Sequence, residues 1–168
     1  LNLEGDNSGS SLLLMLGQEL NTPRYTKLLT RRIHSLRSQI QWFYKDLVCG
    51  IPEEEAFSEV LHNAVEITSL EAGAVFKVLS KKVILISSEG LEDSIVKSLR
   101  EISLDNIVIE TIMLSRDVIE ISSLMDSFPI NLQEKGFVKL FAVPIRIGEN
   151  AVGFFALASC AGGKNATG

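Results

Sequence analysis

Apolar positions along this chain follow a narrow heptad first and a compact mixture of helical and strand patterns afterwards. From Arg24 to Val48 the residues Leu29, Ile33, Leu36, Ile40, Phe43 and Leu47 succeed one another at steps of 4, 3, 4, 3 and 4, a seam nearly three heptads long. Gly50 and Pro52 end that helix and start the next. Pro52 suits a first-turn position, Glu53, Glu54 and Glu55 complement the positive end of a helix dipole, and Phe57, Val60, Leu61, Ala64, Val65 and Thr68 form one apolar stripe, so a helix is expected over 53–69. Ala72 to Leu79 and Lys82 to Ser88 are β-rich runs separated by Ser80-Lys81, which reads as a short hairpin. Glu89-Gly90 then turns the chain into Leu91 to Ile102, where Leu91, Ile95, Leu99 and Ile102 give helical spacing.

Residues 103–117 fit a strand or a short buried helix, the second half favouring helix. Val118 to Ile121 reads as a short strand, and Leu124 to Lys135 as a loop with a short helix interrupted at Pro129. Val138 to Ile147 and Ala151 to Ser159 are strongly apolar strands joined at Gly148-Glu149-Asn150. This order predicts a small α+β domain with a central antiparallel sheet flanked by helices, preceded by a long N-terminal helix. The organisation is a linker over 1–23, a signalling or dimerisation helix over 24–48, the domain over 53–159 and a Gly-rich tail over 160–168.

The heptad admits two readings. A seam of two residues per heptad is narrow for a helix lying on a globular core, and an isolated helix of this length is marginal in water, so a second copy is an attractive partner. A helix packed on its own domain, or on another, is the alternative.

Charge separates the same two regions. The net charge of -5 conceals six bases and no acid over residues 24–45, against nine bases and seventeen acids, a balance of -8, over residues 53–159. The bases lie mostly outside the seam and read first as a solvated face. Contact with anionic lipid or nucleic acid is the lesser alternative, and no nucleic acid partner is expected. Cys49 and Cys160 are single and distant, supplying neither a disulfide framework nor a CxxC motif, so a reducing cytoplasm is expected. Leu12 to Leu16 is too short for a membrane span. Without an initial Met, the chain is expected to be a piece of a longer protein.

The stretch Gly136 to Ser159, GFVKLFAVPIRIGENAVGFFALAS, resembles the closing hairpin of GAF domains, which typically run from a Gly-led apolar strand through "VPI" and a Gly-containing turn to "xxGxxxLxS". The helix from Glu53 to Ser69 and the strand from Ala72 to Leu79 are similar to the family's opening. The resemblance spans residues 53–159 and implies a GAF-like, profilin/PAS-like fold and a non-catalytic regulatory module. Such a module cups a small molecule between its sheet and its variable middle segments, and dimerises through flanking helices, where the 24–48 helix falls. An output domain in the same polypeptide is then expected.

The family's chemistries narrow by residue type. The Asn-Lys, Phe and Asp-Glu arrangement of cyclic-nucleotide binders is missing, neither cysteine adjoins a histidine as bilin attachment requires, and two terminal cysteines do not form a redox cluster. His34 and His62 read as surface or boundary residues, so no metal or cofactor is expected. No carboxylate pair or activated nucleophile marks an active site. Residues 53–159 hold Phe as their only aromatic, which favours a largely apolar ligand, or none. From the resemblance and strand alternation, Phe76, Ile84, Ile121, Leu132, Phe137, Val143 and Phe155 are the candidate pocket residues, with packing in the core as their competing role. Pro144 is expected at a sheet edge or bulge, and Gly153 at a close backbone approach.

Overall fold

A computed structural model describes residues 27–35 and 53–162. The linker, most of the tail and the seam residues Leu36, Ile40, Phe43 and Leu47 lie outside the described residues.

Residues 27–35 are helical (α1), and Glu53–Thr68 forms α2. The three glutamates open α2, and Ala56, Phe57, Leu61, Ala64 and Thr68 are buried along one side, matching the stripe in the sequence. Thr68 satisfies its buried hydroxyl by donating to the Ala64 carbonyl at 2.7 Å. Strands β1 (Ala72–Leu79) and β2 (Lys82–Glu89) follow as a hairpin. Its two-residue turn places Ser80 at φ 58, a left-handed conformation that glycine adopts more readily.

Helix α3 covers Asp93–Leu99 and not the longer span to Ile102. Glu101–Ser103 instead forms β3 against β2, with Val83 facing Ile102 and Lys82 facing Ser103. The outer edge of β2 supplies backbone partners that a continued helix would leave unmet, and Ile102 is buried either way. Apolar spacing therefore could not separate the two outcomes. Ile107–Leu114 forms helix α4, its first turn capped by the Asn106 side chain, which accepts from the Val108 amide. A two-residue β4 (Ile119–Glu120), a 3-10 turn (Ser122–Ser127), β5 (Phe137–Ile147) and β6 (Asn150–Cys160) complete the domain.

The six strands form one antiparallel sheet in the order β3-β2-β1-β6-β5-β4. β4 pairs only with Phe141 and Ala142, so β5 is an edge strand at Pro144. A Cβ on Gly153 would stand 2.3 Å from the Phe76 carbonyl oxygen, so this glycine permits the close approach of β6 to β1.

Each sheet face carries its own core. On one, α1 and α2 bring Leu29, Ile33, Phe57 and Leu61 against Val75, Phe141, Val143, Ile145, Phe155 and Leu157. On the other, α3, α4 and the segment before β5 cover Ala72, Ala74, Phe76, Ala142, Phe154, Ala156 and Ala158. Leu29 and Ile33 are 1% and 0% exposed. The first two residues of the heptad seam are thus occupied by the chain's own domain and are not displayed to a second copy. The physical reason is the apolar outer face of the sheet, which meets them beside α2.

Candidate functional site

The site begins with a row of alanines. In the strand register Ala72 lies opposite Ala158, and Ala74 opposite Ala156, which in turn faces Ala142 on β5. Side chains of one face recur every second residue, so Ala72 and Ala74 on β1 meet Ala156 and Ala158 on β6 as a floor of methyl groups at the centre of the sheet. Larger residues on the surrounding elements cannot reach down to fill all the space above it. A cavity of about 30 Å³ remains, with Ala72, Ala74, Ala156 and Ala158 below and Leu91, Leu99, Phe128, Leu132, Phe137 and Leu140 around it. Phe76 closes one end, stacked on Phe154 with ring centroids 4.7 Å apart.

This volume is room for a few water molecules at most, and its surface is wholly apolar, so water would find no partner in the lining. The arrangement can accept hydrocarbon or aromatic surface. It cannot orient a nucleophile, bind a charge or move a proton.

Of the pocket residues read from the sequence, Phe76, Leu132 and Phe137 line this cavity. Ile121 is buried on the same face but away from the lining. Val143 and Phe155 pair with one another on the opposite face, where Phe155 meets Phe57 at 6.2 Å between ring centroids. Ile84 is half-buried, pairs with Lys77 and joins neither core. Val143, Phe155 and Ile84 therefore do not line this cavity. Phe154 and Phe155 are both 0% exposed, and the strand register separates them: Phe154, opposite Phe76, lies on the cavity's side of the sheet outside the lining, and Phe155, opposite Val75, lies on the other. The alanine floor escaped sequence reading, although Ala72-Gly73-Ala74 and Ala156-Leu157-Ala158 carry its signal, small residues two apart within apolar strands.

The titratable groups lie elsewhere. His62 on α2 meets Glu89 on β2 at 2.9 Å, and this hydrogen bond, followed by the carboxylate's charge, raises the imidazole pKa above 6.5. Burial, followed by the charge of Glu71, raises the Cys160 thiol pKa, so the thiol is held in its unreactive protonated form. His34 is exposed on α1, as are Lys27, Arg31 and Arg32. Among the described residues no three His, Cys, Asp or Glu side chains come together as a metal site, and no helix is long and apolar enough to cross a membrane.

No family model and no curated protein matches this sequence. Solved structures do. The GAF domain of a phosphoenolpyruvate-protein phosphotransferase from Coxiella burnetii aligns at a TM-score of 0.57 and 13% identity, over 78% of this chain and 79% of that one. A GAF domain/HD domain protein from Geobacter sulfurreducens aligns at 0.55 and 14% identity, over 66% and 78%. The NreA protein of Staphylococcus aureus, mutated in its nitrate binding site, aligns at 0.54 and 18% identity, over 66% and 87%. The six-stranded antiparallel sheet with helices on both faces is thus the GAF fold.

Proposed function

We propose that this chain is a non-catalytic sensory or regulatory domain of a larger signalling protein, and that a small, largely apolar molecule enters the cavity above the alanine floor. The wholly apolar cavity, set between the sheet of a GAF fold and the segments that cover it, is the observation that carries this reading. A nitrate-like anion, such as one structural neighbour binds, would meet no hydrogen-bond donor in that lining. Native mass spectrometry of the purified chain tests the reading. A small-molecule adduct is expected, and it should disappear when Ala156→Leu fills the space; an adduct retained in the variant places the ligand elsewhere.

Self-association through the remaining heptad positions, Leu36, Ile40, Phe43 and Leu47, is the proposed route by which cavity or dimer changes reach an output module. Leu29 and Ile33 anchor α1 to the domain, so a change in sheet packing would reach α1 and the segment that follows it. Sedimentation at about 100 μM, well above the association range expected of such a module, should show a dimer, and a monomer there would remove this half of the proposal.

A ligand-free scaffold is a second reading, favoured by the small cavity volume. It predicts no adduct and a dimer unaffected by Ala156→Leu.

A further inference from the structure

At about 30 Å³ the cavity admits a ligand of more than a few atoms only if one of its walls moves. Its floor belongs to β1 and β6, each paired on both sides within the sheet, and cannot yield locally. The segment that contributes Phe128 and Leu132 is held differently. At its start, the Ile121 amide donates to the Leu140 carbonyl at 2.8 Å and the Leu140 amide to the Ser122 hydroxyl at 3.0 Å. At its end, the Ala161 amide donates to the Gly136 carbonyl at 2.8 Å, with Gly136 at φ +89 and open space where a Cβ would be. Between these points its bonds are largely internal, such as Leu132 amide to Met125 carbonyl and Phe137 amide to Leu132 carbonyl, both 3.2 Å. Among the described residues, the hydrogen bond that ties its middle to a neighbouring element comes from Asn106, whose Nδ2 donates to the Ser127 carbonyl at 3.0 Å.

We infer that residues 122–136 are a lid over the apolar cavity, hinged near Ser122 and Gly136 and latched by the Asn106 amide. Asn106 does two things at once. Its Oδ1 accepts from the Val108 amide at 2.9 Å and so starts α4, while its Nδ2 holds the lid. An apolar ligand entering beneath Phe128 and Leu132 replaces the apolar contacts those residues give up. It does not replace a directional hydrogen bond, so the latch is the contact that opening must break. The ligand-admitting role rests on the function proposed above; the latch does not.

Asn106→Asp separates the two roles, because the carboxylate keeps the helix cap and loses the donor. In hydrogen-exchange mass spectrometry of the full chain, the peptides carrying Leu132 and Phe137 should exchange about 10-fold faster in Asn106→Asp, while β1 and β6 change little. Unchanged exchange over 122–136, or equal acceleration of lid and strands, overturns the latch. Asn106→Ala, which loses both roles, should additionally accelerate α4. Uptake of the dye 8-anilinonaphthalene-1-sulfonate separates the two proposals: a loosened lid without increased dye fluorescence leaves the latch standing and counts against the ligand site.

Discussion

The two faces of the sheet use the same strands and opposite packing strategies. Toward α1 and α2, β6 presents Phe155 and Leu157, β5 presents Phe141, Val143 and Ile145, and the large side chains interdigitate with Phe57, Leu61, Leu29 and Ile33. Toward α3 and α4, the same two strands present Phe154 and Leu140 but also Ala156, Ala158 and Ala142, and a space is left above the alanines. Even Gly73 serves the filled face, since a Cβ there would lie 2.7 Å from Leu61 Cδ1, 3.0 Å from Val65 Cγ2 and 3.2 Å from Leu157 Cδ2. One face is thus filled by large side chains and holds the leading helix, while the other encloses free space. Side-chain volume at alternate positions of single strands is enough to create that asymmetry.

The largest effect is expected at Phe155. Phe155→Ala should remove about 3–5 kcal/mol of stability in urea unfolding, because a fully buried ring between α2 and the sheet leaves a cavity that rigid neighbours cannot close. A paired substitution tests the faces directly. Gly73→Ala should cost about 1–3 kcal/mol by overpacking against α2, whereas Ala156→Val, with free space above it and a β-branched side chain suited to a strand, should cost under about 1 kcal/mol. Equal costs would show that the faces are equally tight.

A smaller effect is expected where α4 meets the hairpin. The Arg146 guanidinium donates to the Met113 and Ser115 carbonyls at 3.0 and 3.1 Å and also to the Glu149 carbonyl. It thereby satisfies the end of α4, where backbone carbonyls lack helical partners and carry partial negative charge. Arg146→Met should lower stability by about 1–2 kcal/mol, with exchange accelerated first in α4.

The smallest effect belongs to the filled face's rim. With its pKa raised above 6.5, His62 stabilises the folded state fully below the unfolded-state pKa, and the contribution is lost as pH rises through the folded-state value. The pair is exposed, so the change in stability should be slight. An NMR titration should place the His62 midpoint above 6.5, and Glu89→Gln should bring it down.

Much of this architecture is legible in the chain itself. The α2 stripe, both hairpins, the edge position of Pro144 and the close approach at Gly153 follow from local patterns whose physical demands are local. The end of α3 does not, because Ile102 satisfies helical spacing and strand burial alike. The outer edge of β2 supplies the deciding backbone partners. The cavity is legible only in part, through Phe76, Leu132 and Phe137, since a residue's size can be read from the chain but the void beside it depends on what arrives from elsewhere.

The class of structure, the polarity between a basic leading segment and an acidic domain, and the absence of tyrosine and tryptophan from residues 53–159 are written in the order and kind of residues alone. Tertiary structure decided which face each buried residue serves. In β5, Leu140 to Ile145 are buried without interruption, and in β6 Gly153 to Ala158 form another unbroken buried run. A strand covered on both sides loses the alternation that would mark its inner face. Register then carries the information: Phe76 opposite Phe154 sends Phe155 to α2, and the alanines meet only because β1 and β6, distant in the chain, pair at that one offset.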